Sequence, residues 1–311
     1  TDPAPVHPPA QNPPADVLLE IDYGGQGRMV YDAFLTADGG HLLVQTDTLS
    51  AEVIDLASGE TWPFTPPTYL YEGDVFVQSA GILVVAYYPR ENGNITFWRV
   101  SPGDEEAQLL GSASGTEPYV ITATLSPDGS TFAAGYNNGT IKLYNTANGS
   151  LIRSISAHND NVTSLDFSPD GRYLVSDSFS FDANTFVFTV SSGAKAATLT
   201  TEGWEPGVVA FSPDGRWVSA TAGDGTHIYS TSNWQATGTV IAGVWEGVFT
   251  CDSSGLMLRS ASNGSQSDVY SLATGELAET LDGYPVFCLS DGRAAAVDVE
   301  DDVVTVKVVS P

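Results

Sequence analysis

From residue 16 onward, short runs rich in Val, Ile, Thr, Phe and Tyr alternate with clusters of Gly, Asp, Asn and Ser, and no long helical period occurs. That is the strand-and-turn texture of an all-β chain. One turn recurs, as Leu125-Ser-Pro-Asp-Gly129, Phe167-Ser-Pro-Asp-Gly171 and Phe211-Ser-Pro-Asp-Gly215. Weaker copies are Leu35-Thr-Ala-Asp-Gly39, Val77-Gln-Ser-Ala-Gly81, Cys251-Asp-Ser-Ser-Gly255 and Cys288-Leu-Ser-Asp-Gly292. Aligned on the glycine, the residue four places earlier is apolar in all seven, and the intervals are 42, 48, 42, 44, 40 and 37 residues. A Pro-Asp-Gly turn between apolar runs is a hairpin with a mechanism, because Pro presets φ and Gly takes the left-handed position. Seven copies near 42 residues predict a radially repeated β architecture.

The second half of each unit reads strand, four-residue turn, strand. Residues 139–158 show it best, with equivalents at 94–110, 184–199, 225–241 and 267–281. On these residues the chain resembles the WD-repeat family of β-propellers. The likeness is fullest within 118–172, where Ala157-His158 stands for the family's Gly-His. Where the family has Trp-Asp, this chain has Trp98-Arg99, Tyr144-Asn145, Phe188-Thr189, Tyr229-Ser230 and Tyr270-Ser271. In the family a histidine, a strand serine and a turn aspartate form a hydrogen-bonded network with the tryptophan. The resemblance implies His158, Ser178 and Asp182 for those roles, with Phe188 in the tryptophan's place. It implies the fold and says little of function.

Units one to six each supply four strand-like runs, for example 120–125, 131–134, 140–144 and 151–156. The seventh supplies three, at 284–288, 293–298 and 303–309. The missing strand has a candidate in 17–23, whose apolar residues include Val17, Leu18, Leu19 and Ile21. The expected fold is therefore a seven-bladed β-propeller of four-stranded antiparallel blades spanning 16–311. The strand at 17–23 completes the last blade and removes its open edge.

Charge changes the picture next. The chain has 38 acidic residues against 11 basic ones, a formal −27, and the unusual term is the shortage of Lys and Arg. Such a field repels phosphate backbones and anionic membrane surfaces, so no nucleic-acid partner is expected. The longest apolar run, 82–88, is too short to span a bilayer, so no membrane insertion is expected either. Abundant Ser, Thr, Gly and Asn with little Lys, and a chain opening at Thr1 without Met, point to an exported, extracellular or cell-surface protein. Cys251 and Cys288 are too few for a disulfide framework or a structural zinc site. Aligned on the repeat glycine they share one repeat position, on the innermost strands of adjacent blades. They are thus a disulfide candidate, or else two small core residues.

Candidate chemistry is thin. There is no Gly-x-Ser-x-Gly elbow, and the four histidines are scattered, so no catalytic residue, cofactor or metal is expected. Asp298, Glu300, Asp301 and Asp302 crowd one hairpin tip without calcium-loop spacing and read as a solvated turn. Asp32, Asp74, Glu117, Asp160, Glu205 and Glu246 sit near the starts of inner strands without aligning on the repeat. Trp62, Trp204, Trp234 and Trp245, with Tyr69, Tyr71, Tyr87 and Tyr88, fall in connections or near strand ends, as contact residues or as lids on the blades. Asn-x-Ser/Thr sequons occur at Asn94, Asn138, Asn148, Asn161 and Asn263.

The reading is a non-enzymatic protein-interaction and assembly module whose partners are other protein subunits, copies of itself above all. The alternatives are a propeller that binds glycans or small ligands, or a propeller hydrolase or lactonase with a channel metal. The assembly reading rests on residues 1–15, with Pro3, Pro5, Pro8, Pro9, Pro13 and Pro14 around Val6. Such a segment is extended polyproline II, reaching about 45 Å at roughly 3.1 Å per residue. It could cross to a neighbouring subunit as an arm, and a head-to-tail contact of that kind propagates into a filament or sheath unless it closes.

Overall fold

The computed structural model describes residues 17–35, 39–46, 50–64, 76–79, 83–87, 95–100, 108–113, 120–179, 184–200, 207–242, 247–259, 266–282, 286–289 and 293–309. Within them the strands form four-stranded antiparallel sheets, the blades of a β-propeller. Six are contiguous in sequence, at 30–64, 76–113, 120–156, 162–200, 209–241 and 247–282; they are called here the first to sixth sheets. A seventh combines Val286–Cys288, Ala294–Glu300 and Val303–Val309 with Val17–Asp22 as its outer strand. Val17 lies opposite Lys307 and Asp22 opposite Val303, with a register shift between Val17 and Leu19. No helix among the described residues is long and apolar enough to cross a membrane.

Alternation explains the packing. In the third and fourth sheets the second strands, Thr131–Tyr136 and Tyr173–Ser178, are almost wholly buried, while the outer strands Leu151–Ser156 and Lys195–Thr200 turn most side chains to solvent. A strand sandwiched between two sheets is apolar on both faces, and a perimeter strand is not. Apolar side chains at the junctions join neighbouring sheets. Phe167 and Leu174 pack on Leu143 between the third and fourth, and Val175 and Val187 pack on Val209 and Phe211 between the fourth and fifth. Ile21, Tyr23, Val304 and Val306 of the seventh cluster with Leu42, Val44 and Ile54 of the first.

That seventh-to-first junction is also clasped by polar groups. The Tyr23 N–H donates to the Asp302 carbonyl at 2.9 Å, and the Val30 N–H donates to Asp302 Oδ1 at 2.9 Å. Asp302 is thus a tie between strands, which the reading of 298–302 as a solvated turn did not anticipate. Arg28 reaches Thr46 Oγ1 at 2.7 Å and the buried Glu52 at 3.4 Å, and its guanidinium lies 5.0 Å from the Tyr23 ring centroid.

The position of Cys251 needs correcting. In the third sheet Ser126 Oγ donates to Asp128 Oδ1 and accepts from the Thr131 N–H. In the sixth, Thr250 Oγ1 donates to Asp252 Oδ1 and accepts from the Gly255 N–H. Ser253, at φ 60°, therefore takes the left-handed place of Gly129, at φ 68°. Gly255 begins the next strand. Alignment on Gly255 misplaced the turn by two residues. Cys251 stands where other turns carry Pro127 or Pro169, whereas Cys288 ends an inner strand. The two are joined by a disulfide with Cα atoms 5.5 Å apart.

Candidate functional site

The repeated turns lie side by side on one rim of the propeller. A Cβ placed on Gly215 would sit 3.7 Å from Pro169 of the preceding turn, and one on Gly171 would sit 3.9 Å from Pro127. The Asp214 N–H donates to Ser253 Oγ of the next turn at 3.2 Å. At the far end of the series, a Cβ on Gly39 would collide with the Cys288 carbonyl. The aspartates of this rim work as caps. Hydrogen bonds from Ser126 and Ser130 hold the Asp128 carboxyl below the usual carboxylate range, and Thr250 and Ser254 do the same for Asp252. At Asp170 and Asp214 burial pushes the other way, but hydrogen bonds from Ser168, Ser212 and the arginine N–H groups prevail.

Between the fourth and fifth sheets this rim opens into a notch of about 480 Å³, lined by Pro169, Arg172, Tyr173, Gly215 and Thr231 among others. The Arg172 guanidinium lies 5.5 Å from the Tyr173 ring centroid, and Arg216 lies 5.9 Å from that of Trp217. Trp234 meets Tyr173 edge-on with centroids 5.1 Å apart. The backbone of Trp234 is unusual. Its N–H donates to the Ser230 carbonyl at 2.8 Å, as Gly59, Gly149, Gly193 and Gly275 donate to the residue four places before them. Those four are glycines at φ 70–73°, whereas Trp234 stands at φ 59°. A bulky residue in that region is a genuine outlier.

The opposite rim holds the network implied by the WD-repeat resemblance, with different members. His158 Nε2 pairs with Ser176 Oγ at 2.8 Å rather than with Ser178, whose hydroxyl donates to the Asp160 carbonyl at 3.4 Å. Phe186, not Phe188, stacks on the imidazole with centroids 4.8 Å apart, and Lys195 Nζ lies 4.0 Å from the Phe186 centroid. Ser176 and Ser178 both point inward along one strand, and the chain pattern alone does not choose between them. Phe188 turns to the junction core instead. Burial, then the Lys195 charge, lowers the His158 pKa to about 4, so the ring is neutral at pH 7. Asp182 lies outside the described residues.

Sequence reasoning missed a row of side chains between the fourth and fifth sheets. The N–H groups of Gly207, Val209 and Phe211 alternate along one strand edge. They donate to Asp177 Oδ2 at 2.9 Å, Ser164 Oγ at 3.1 Å and Asp166 Oδ2 at 2.6 Å. A sheet edge that would otherwise present unpaired donors is thereby satisfied. Burial pushes Asp166 up to about 7 and Asp177 up to about 6, against the pull of those hydrogen bonds. The only sequence signal was an acid within each of two strands whose other members are apolar or hydroxyl-bearing.

Of the other candidates, Asp160 is exposed and caps the Asn161 N–H. Asp74, Glu117, Glu205 and Glu246 lie outside the described residues, as do Trp204, Trp245, Tyr69, Tyr71 and Tyr88. Among the described residues no group of three His, Cys, Asp or Glu side chains is placed to hold a metal ion. Trp62 sits beside His41, ring centroids 5.6 Å apart. Asn138 and Asn148 cap their own turns, accepting from the Thr140 and Ser150 N–H groups. Residues 1–15, with all the prolines of the expected arm, lie outside the described residues.

The blades, their repeated turns and the histidine–serine pair make a β-propeller that resembles those of WD-repeat proteins. Three stretches, 107–145, 149–189 and 200–242, match the WD domain, G-beta repeat. The chain is 31% identical over 93 residues to a ciliary WD repeat-containing protein of Euplotoides octocarinatus, covering 27% of this chain and 13% of that protein. It is 26% identical over 223 residues to autophagy-related protein 16 of Arabidopsis thaliana, covering 69% and 42% respectively. With the COMPASS component SWD3 of Saccharomyces cerevisiae it shares 32% over 125 residues, covering 38% and 39%. The matches thus span less than half the length of each of these relatives. The fold is that of a β-propeller, and three stretches of the chain carry WD-repeat-like sequence.

Proposed function

We propose that the seven sheets close into one ring and that this ring is a non-enzymatic interaction module of an exported protein, with copies of itself as partners. The observation that carries the non-enzymatic reading is how the polar groups are occupied. The rim aspartates cap turns, the buried aspartates hold a neighbouring strand edge, and His158 is neutral and bonded to Ser176. What is left outward is a rigid rim of turns with notches between blades, which suits recognition of another surface. The Cys251–Cys288 disulfide fits an oxidising compartment. The proline content of 1–15 fits an arm that loses little conformational entropy on docking.

The experiment is light scattering of the full chain over a wide concentration range, beside a chain lacking residues 1–15. The cut leaves Val17–Asp22 intact. Growth of the full-chain particle with concentration, lost on truncation, is the expected result. A full chain that stays monomeric, or a truncated one that assembles equally well, overturns the self-assembly reading.

A further inference from the structure

We propose that the notch between the fourth and fifth sheets receives the proline-rich segment 1–15 of a second copy of this chain. The inference rests on the reading of that segment as an assembly arm and assigns the arm its receptor.

Four observations converge on the notch. The first is its chemistry. Extended proline-rich segments dock by laying pyrrolidine rings against aromatic faces. Here Tyr173 is partly exposed and fixed in place by Trp234 edge-on and by Arg172 over its face.

The second is strain. Four sibling turns use glycine where this one uses Trp234 at φ 59°. A bulky side chain in the left-handed region is strained, and such outliers gather at ligand clamps when the surroundings enforce them. The feature that accompanies this one is the ring set against Tyr173.

The third is charge. Arg172 lines the notch and Arg216 flanks it, with side chains 71% and 67% exposed, each paired with an aspartate of its own turn, Asp170 and Asp214, that also lines the notch. Segment 1–15 holds no Lys or Arg and carries Asp2 near its start, so it brings no fixed cation to repel the two guanidiniums.

The fourth is position. The hairpin at Asp301 and Asp302 lies on the rim away from the repeated turns. Asp22 pairs beside it, and Val17 pairs at the far end of the strand with Lys307. The segment preceding Val17 therefore leaves the molecule on the rim where the notch opens, and from the outermost strand of its sheet. The shorter way round to the chain's own notch passes the fifth and sixth sheets, which would use up much of a segment roughly 45 Å long. A notch on a copy lying alongside leaves the whole run of prolines to bind.

Two full-chain variants test this by complementation. One replaces Pro3, Pro5, Pro8, Pro9, Pro13 and Pro14 with Ala. The other combines Tyr173→Ala with Arg172→Glu, and a milder version carries Arg172→Glu and Arg216→Glu alone, on exposed side chains that leave the core untouched. Sedimentation velocity should show assembly of the unaltered chain, at least tenfold weaker association of each variant alone, and one-to-one pairs that grow no further when the two are mixed. If the notch variants assemble like the unaltered chain while the proline variant does not, the arm is real and this receptor is wrong. Variants that stay monomeric on mixing, although the unaltered chain assembles, also reject docking of the arm at this notch in a second copy. An unaltered chain that is monomeric throughout overturns the arm reading itself.

Discussion

Asp166 shows how one buried carboxyl can be both structural and costly. It accepts the Phe211 N–H, yet burial holds its pKa at about 7, against 3.8 when exposed. An acid whose folded pKa is raised favours the fold while protonated. Its contribution is full below about 4 and is lost as pH climbs through 7. His158 works in the opposite sense: held near 4, it resists charging, so folding loses stability from it as pH drops from about 6.5 towards 4. Asp166→Asn keeps an oxygen acceptor for the Phe211 N–H and has no proton to lose. The variant should be more stable than the unaltered chain at pH 8, by a few kcal/mol at most, with the gap closing by pH 4.5. Urea titrations at the two pH values measure it; a gap independent of pH contradicts the assignment. The acid at this position was plain in the sequence, but its role was not, because the N–H it serves is 45 residues away on the next sheet.

Among the elements, the turns were the most legible and also where the reading slipped. Ser-Pro-Asp-Gly declares its own geometry, since its four members act locally as hydroxyl acceptor, fixed φ, carboxylate cap and left-handed backbone. In the sixth sheet Thr250, Asp252 and Ser253 take over the hydroxyl, carboxylate and left-handed roles, Cys251 merely occupies the proline's place, and Gly255 two residues later looks like the missing member. Function passed to a different set of residue types while spacing offered a decoy. The disulfide was one of two outcomes left open for these cysteines, and either placement brings them to adjacent sheets. Mass spectrometry without reductant should find no labelled thiol after denaturation. Replacing Cys251 and Cys288 with Ser should cost up to about 4 kcal/mol, the loop-entropy scale for their 37-residue separation. The link before the first sheet makes a further test. Glu52 is 2% exposed and faces Arg28, so Arg28→Ala leaves a buried carboxylate without its cation. Destabilisation of roughly 3 kcal/mol is expected in urea unfolding, largely relieved by adding Glu52→Gln. If the double variant is no better than the single one, the ion pair is not what holds this link.

At the scale of the whole molecule, the repeat made the architecture readable from spacing alone, and the strand deficit of the last unit pointed to Val17–Asp22. The interaction surface was not readable in the same way. Arg172 and Tyr173 of the fourth sheet and Thr231 of the fifth are ordinary residues at ordinary repeat positions, and only packing of one sheet against the next brings them to one notch, with Trp234 set against Tyr173. The pairing of Val17–Asp22 with Val303–Val309 carries a mechanical consequence. A pull on anything attached before Val17 enters the body through a perimeter strand that is hydrogen-bonded along one side only. The first pair to take that tension is Val17 with Lys307, beside a register shift that already interrupts the ladder. Sideways traction would therefore peel the strand pair by pair, with the bonds breaking in series rather than together. The tensile limit of the molecule is set by the grip of its opening strand on its closing one.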